Sequence, residues 1–170
     1  MISLLKFFRF LGPTLLIFGT FVVLPPVVLS YFNNVLDNEM LNIYLVCMAY
    51  SVIIFFTLRQ RKFTYSPKDG FVITFLTWVI ISLLASMPFL NANLVFFDAL
   101  FEAVSGLTTT GSTVIKDLSQ LPDHILLYRQ LLQWAGGVGL VIVVLAIIPA
   151  VSGGMKAVSY THLRAHETPR

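Results

Sequence analysis

Four long, uncharged, mostly apolar stretches constrain this chain more than any other feature: residues 10–32, 40–58, 70–97 and 130–155. A helix needs about 20 such residues to cross the hydrocarbon core of a bilayer. Each of the four stretches supplies that length and no other part of the chain does. The helical part of the third is expected to end near Pro88. Charged residues make up 11% of the 170 residues and hydrophobic ones 57%, whereas soluble domains carry about a quarter charged residues. Too little polar surface remains to coat a water-facing globule, so lipid is the expected solvent over much of the chain.

The first stretch contains Pro13, Pro25 and Pro26. Pro13 suits a helix start. The Pro25–Pro26 pair predicts a kink or an early end, because proline lacks the donor N–H and its ring crowds the preceding turn. The apolar core is too long for a signal peptide and no small-residue cleavage site follows it, so a retained helix is expected.

Lys and Arg fall in alternate connections, which sets an orientation. With the N-terminus in the cytoplasm, Lys6, Arg9, Arg59, Arg61, Lys62, Lys68 and Lys156 lie inside. Asp37, Glu39, Asp98, Glu102, Asp117 and Asp123 then lie outside, against only Lys116 and Arg129. The net charge of +3 does not indicate nucleic acid, since the basic residues sit at the ends of apolar runs and form no patch interleaved with aromatics. Cys47 is the single cysteine, which leaves no partner for a disulfide within the chain and reads as a small buried thiol. No nucleophile–base pair, phosphate-binding glycine loop or nucleotide motif is visible, so neither an enzyme nor a cofactor is expected.

Function is sought between the third and fourth stretches, in residues 91–129. Phe97, Leu100, Phe101 and Val104 recur at helical spacing, Asp98 and Glu102 share another face, and Gly106 is a plausible end signal. A helix of about a dozen residues is only about 18 Å long, too short for the roughly 30 Å hydrocarbon core. It reads as a re-entrant half-helix. Directly after it comes the run Leu107-Thr108-Thr109-Thr110-Gly111-Ser112-Thr113, poor in helix formers. Non-helical backbone at membrane depth is tolerated only where it lines a cavity or is buried in protein. An extended Thr-Thr-Thr-Gly segment can turn carbonyl oxygens toward an axis, where rings of them replace the hydration shell of a potassium ion. Gly111 permits dihedrals that other residues resist, and the C-terminal end of the half-helix favours a nearby cation. Asp98, Glu102, Asp117 and Asp123 could concentrate cations at the outer mouth. From the residues alone a second reading stands beside this one: a loop that only packs, its threonine hydroxyls bonded to nearby backbone, in a small membrane scaffold or interaction subunit.

The run from Phe101 to Thr113 resembles the first pore loop of the Trk/Ktr/HKT superfamily of potassium transporters, in its TrkH-type membrane subunit. Tyr128-Arg129-Gln130-Leu131-Leu132-Gln133-Trp134-Ala135-Gly136-Gly137-Val138-Gly139 resembles the start of the helix that follows. Ile147-Ile148-Pro149 and Gly153-Gly154-Met155 continue the likeness. The resemblance implies an all-α membrane protein with four transmembrane helices plus one re-entrant pore helix and filter loop. It implies a helix pair in residues 1–65 and a first helix–pore-loop–helix repeat in residues 66–157. In this family four such repeats in one chain build one pore, each donating a filter segment with a central glycine. Here Thr108, Thr109, Thr110 and Gly111 match filter positions that offer backbone carbonyls to potassium. In plant relatives serine at the Gly111 position goes with sodium preference and glycine with potassium. The family forms homodimers in the bacterial inner membrane and binds a cytoplasmic ring of nucleotide-binding regulatory subunits. Only one of the four filter segments is present in this chain, which alone cannot close a ring of carbonyls. It is therefore expected to be a fragment, inactive by itself.

Residues 158–170 depart from the family and resemble a translated sequencing-adapter read-through, so they are set aside as an artefactual tail. His162 and His166 with Glu167 mimic a helical metal pair, but a zinc site needs three or four ligands. Arg129 is expected to pair with Asp123 or another outer acid, or to reach for the interface. Gly136, Gly137 and Gly139 are expected to let the fourth span approach its neighbours closely. Trp78 and Trp134 read as packing or interface aromatics.

Overall fold

A computed structural model describes residues 4–61, 63 and 66–142. Two compact units divide the chain at Gly137 and Val138. In the second, residues 138–142 are described and helical. Expectations for Lys62, Lys156, the end of the fourth stretch and the tail with His162, His166 and Glu167 lie outside the described residues.

All described regular structure is helical. In chain order the elements are α1 (Leu4–Phe18), a π-helical turn (Gly19–Val23), α2 (Leu24–Phe32), α3 (Asn38–Leu58), α4 (Pro67–Asn91), α5 (Phe96–Leu107) and a short 3-10 turn (Leu118–Gln120). A last helix, α6, covers Asp123–Ile142. Four stretches are long and apolar enough to cross a membrane: Leu4–Phe32, Asn38–Leu58, Asp69–Asn91 and Asp123–Ile142. At 12 residues, α5 is not among them.

Pro13 behaves differently from expectation. Pro13 lies inside α1, which already begins at Leu4. Phe7, Leu11 and Leu15 are buried along this helix, and their burial offsets the roughly 3 kcal/mol that an interior proline costs. Nor does the Pro25–Pro26 pair end the first span. The π turn precedes it, with the Leu24 N–H donating to Gly19 O five residues back. A widened turn makes room for the rings and bypasses donors that proline cannot supply. The third stretch does stop being helical close to Pro88: α4 ends at Asn91, its last turn held by Phe89, which is fully buried against Tyr128 with ring centroids 5.6 Å apart.

Packing follows small residues and polar ties. α1 lies mainly on α3, where a Cβ on Gly12 would stand 3.0 Å from Ile54 and one on Gly19 3.1 Å from Cys47. α5 packs on α4, and α6 is tied to α4 by the Tyr128 hydroxyl donating to Ala85 O at 3.1 Å. The basic residues of α1 bind one end of the bundle: Lys6 pairs with Asp69 at 2.8 Å, and Arg9 donates to the last carbonyl of α3, that of Leu58. At the other end Asp37 caps α3, accepting from the N–H groups of Glu39 and Met40, while its second oxygen lies 3.4 Å from His124 Nε2 on α6.

Asp37→Ala is expected to lose the cap and the His124 contact together, lowering stability by about 1 kcal/mol or more. Asp37→Asn keeps the cap and should lose less. Thermal unfolding of both variants in detergent micelles measures the difference.

Candidate functional site

The four sequence-predicted residues Thr108, Thr109, Thr110 and Gly111 form one exposed loop directly after α5. Its start is a helix end, with Thr108 as the last half-helical residue and Thr109 in the left-handed region at φ +58°. The Thr109 N–H donates to Gly106 O at 2.9 Å and the Thr110 N–H to Ser105 O at 3.0 Å. The Gly111 N–H joins the same Ser105 oxygen at 3.3 Å. The six-to-one and five-to-two bonds make a Schellman closure. Gly106, expected as the end signal, is instead a buried residue of α5, with Leu132 of α6 3.1 Å from where its Cβ would be. The left-handed position falls three residues later, on a β-branched side chain that resists it.

That closure fixes where the carbonyls point. A trans peptide holds its N–H and C=O on opposite sides, and the described chain has no cis bond. The N–H groups of Thr109, Thr110 and Gly111 belong to the peptides whose carbonyls are those of Thr108, Thr109 and Thr110. With those N–H groups turned back onto α5, the three oxygens face away from the helix end. Among the described residues they accept no hydrogen bond. They also stand at the partially negative end of α5. Such an array attracts a cation. The segment is a turn followed by Gly111 at φ +73°, not the extended strand expected from sequence.

The Gly111 carbonyl is engaged: Arg129 Nη2 donates to it at 3.2 Å, leaving one of its two lone pairs. Arg129 Nε donates to Glu102 Oε2 at 3.0 Å. Glu102 Oε1 accepts from the Thr113 hydroxyl and from the Val114 N–H at 2.8 Å. Ser105 Oγ donates to Ser112 O at 2.6 Å. One buried carboxylate, 1% exposed, thus holds both the returning limb of the loop and the arginine that holds Gly111.

One expectation changes as a result: Glu102 is no outer-mouth surface acid, because its carboxylate is enclosed and paired. Arg129 is buried and does pair with one of the acids expected on the outer side, Glu102. The signal was available, since charged residues inside apolar segments seldom stand unpaired, but which acid meets Arg129 depends on the fold. Asp98, Asp117 and Asp123 are exposed. Hydrogen bonds from the Ser119 hydroxyl and N–H and from Gln120 hold the Asp117 carboxyl below the usual carboxylate range.

The fold and the loop together define a class: a multi-pass membrane protein in which a short, non-spanning helix delivers an irregular loop beside the spans. The TrkH family of cation transport proteins matches residues 37–167, and the chain belongs to that family. It is similar to the Trk system potassium uptake protein TrkH of Salmonella typhimurium, 34% identical over 87% of this chain and 32% of that protein. TrkH of Vibrio parahaemolyticus is 36% identical over 87% of the chain and 31% of its own length. The crystal structure of the potassium transporter TrkH from Vibrio parahaemolyticus matches with a TM-score of 0.73 at 32% identity, over 95% of this chain and 37% of that one. The chain therefore spans about a third of the length of these relatives.

The start of the loop also depends on Gly136 of α6. A Cβ there would stand 2.1 Å from the Leu107 carbonyl oxygen and 2.6 Å from its carbon, both backbone. Gly136→Ala is expected to push α6 off the end of α5 and to cost about 1–3 kcal/mol. At Gly137 the nearest atom, Thr109 Cγ2, would be at an ordinary 3.6 Å. Gly137→Ala should therefore be close to neutral by the same thermal-unfolding assay.

Proposed function

We propose that this chain contributes the first filter segment of a potassium uptake protein of the bacterial inner membrane, with Thr108, Thr109, Thr110 and Gly111 offering backbone oxygens to dehydrated potassium. The observation that carries this reading is the trio of exposed, unbonded carbonyls facing away from the end of a helix too short to span. Potassium has a weaker hold on its water than smaller cations, and a fixed set of carbonyl dipoles can replace that shell. The names of the relatives, potassium uptake proteins, agree with that cargo.

The proposal extends to the whole assembly by family resemblance. Residues 1–65 are a leading helix pair and residues 66–157 the first of four repeats. One such loop makes a quarter of a ring, so three further repeats complete the filter. A homodimer with a cytoplasmic nucleotide-binding regulatory subunit is the expected assembly. The N-terminus is cytoplasmic. Lys6 and Arg9 cluster with Asp69 and the end of α3, at the opposite end of the spans from Asp37 and His124, which supports the alternation of basic and acidic connections. Exposed Asp98, Asp117 and Asp123 would then attract cations from outside.

The uninterrupted reading frame that encodes this chain should restore growth of an uptake-deficient bacterium in low potassium, and residues 1–157 alone should not. In that frame Gly111→Ser should lower discrimination of potassium over sodium. Space is not the cause, because the nearest atom to a new Cβ is Gln133 Nε2 at 3.9 Å. The cause is the backbone, since a side chain at φ +73° costs roughly 1–2 kcal/mol and the loop relaxes. An unchanged permeability ratio would remove Gly111 from the filter. For orientation, a periplasm-dependent alkaline phosphatase fused after Asn34 should be active, and one fused after Gln60 inactive.

A further inference from the structure

We propose that Glu102 and Arg129 are a charge-balanced pair of positioning residues, Arg129 aiming the Gly111 carbonyl and Glu102 cancelling the arginine's charge beside the ion path. The inference rests on the filter reading above and goes beyond it, because neither side chain offers an oxygen to the ion.

The geometry closes on itself. Arg129 bridges two acceptors, the Gly111 carbonyl at 3.2 Å and Glu102 Oε2 at 3.0 Å. The other oxygen of Glu102 holds the Thr113 hydroxyl and the Val114 N–H. Gly111 and residues 113–114 are therefore fixed to the same carboxylate, one through the guanidinium and the other directly. Ser112, between them, is held by Ser105 on the same face of α5. The residue most free to change conformation, Gly111, is the one that the arginine grips. Lysine cannot replace it here, since one ammonium lacks the planar fork that meets two acceptors at once.

The pair also governs the charge near the loop. The guanidinium bonds the Gly111 carbonyl, in the same loop as the unbonded oxygens of Thr108, Thr109 and Thr110. Unbalanced, it would repel any cation that those oxygens attract, and burial strengthens that repulsion. Glu102, with its side chain fully enclosed, keeps the pair neutral. The carboxylate therefore does more than hold the loop in shape, and its loss should be felt by the ion.

The test uses rubidium uptake in the uninterrupted reading frame, with membrane abundance measured for every variant. Glu102→Gln keeps the size and one acceptor oxygen for Thr113 and Val114, but it sets an NH2 donor against Arg129 Nε and leaves that arginine unbalanced. It should raise KM for rubidium by on the order of tenfold at unchanged abundance. Glu102→Gln/Arg129→Gln removes both charges and should return KM toward the unmodified value while selectivity over sodium stays low. If Glu102→Gln lowers only the maximal rate, or the double variant is no better than the single, the charge-balance half is overturned. Arg129→Lys and Glu102→Asp keep both charges and alter reach, and they decide the matter should the amide variants fail to accumulate. They should keep KM within about threefold while weakening selectivity, and unchanged selectivity overturns the positioning half. Gly111→Ser separates the two levels: a pair without effect alongside a Gly111 variant that does alter selectivity sinks this inference alone, whereas an inert Gly111 variant sinks the filter reading.

Discussion

In a bilayer every backbone N–H and C=O must find a partner inside the protein or face an aqueous cavity, and the arrangement around α5 follows from that constraint. A helix that stops partway across the membrane leaves its last carbonyls open. Here the amides of Thr108, Thr109, Thr110 and Gly111 turn back and satisfy them. For the peptides that end in the amides of Thr109, Thr110 and Gly111 this turns the opposite edge outward, while the carbonyl opposite the Thr108 amide, that of Leu107, packs on Gly136. Three oxygens of Thr108, Thr109 and Thr110 are exposed because three oxygens of Val104, Ser105 and Gly106 are not.

What holds that geometry lies behind the loop. A buried ion pair is a weak source of net stability, since desolvation consumes much of the Coulomb attraction, but breaking one partner typically costs roughly 3–5 kcal/mol. The Glu102–Arg129 pair therefore makes better sense as a device for specifying one loop conformation than as a general stabiliser. Gly136 acts in the same direction by different means. It brings α6 against the Leu107 carbonyl, so the helix that carries Arg129 can come close enough to reach Gly111.

The membrane class, the four spans and the short helix between the third and fourth were legible because apolar length and helical spacing are local properties. So was the glycine at positive φ in the loop. Long-range packing was not legible. Pro13 read as a helix start, yet it lies inside α1; the Pro25–Pro26 pair read as a kink or an early end, and the span runs on past it because a widened turn absorbs the missing donors. Gly106 read as a helix end, but its small size serves contact with Leu132, and the end passed to Thr109. Glu102 read as one more outer acid. Nothing near it in sequence reveals that Arg129, 27 positions later on α6, supplies its counter-charge.

Neighbouring unbonded carbonyl dipoles on one side of a turn repel one another, and the partially negative end of α5 adds to that repulsion. Thr109, held in the left-handed region, adds backbone strain at the same place. Under the proposed function, a cation that settles among these oxygens relieves the crowding, and binding and loop integrity become linked by mass action. The permeant ion would then be a structural component of its own passage, and a prolonged vacancy would favour a collapsed loop that conducts nothing.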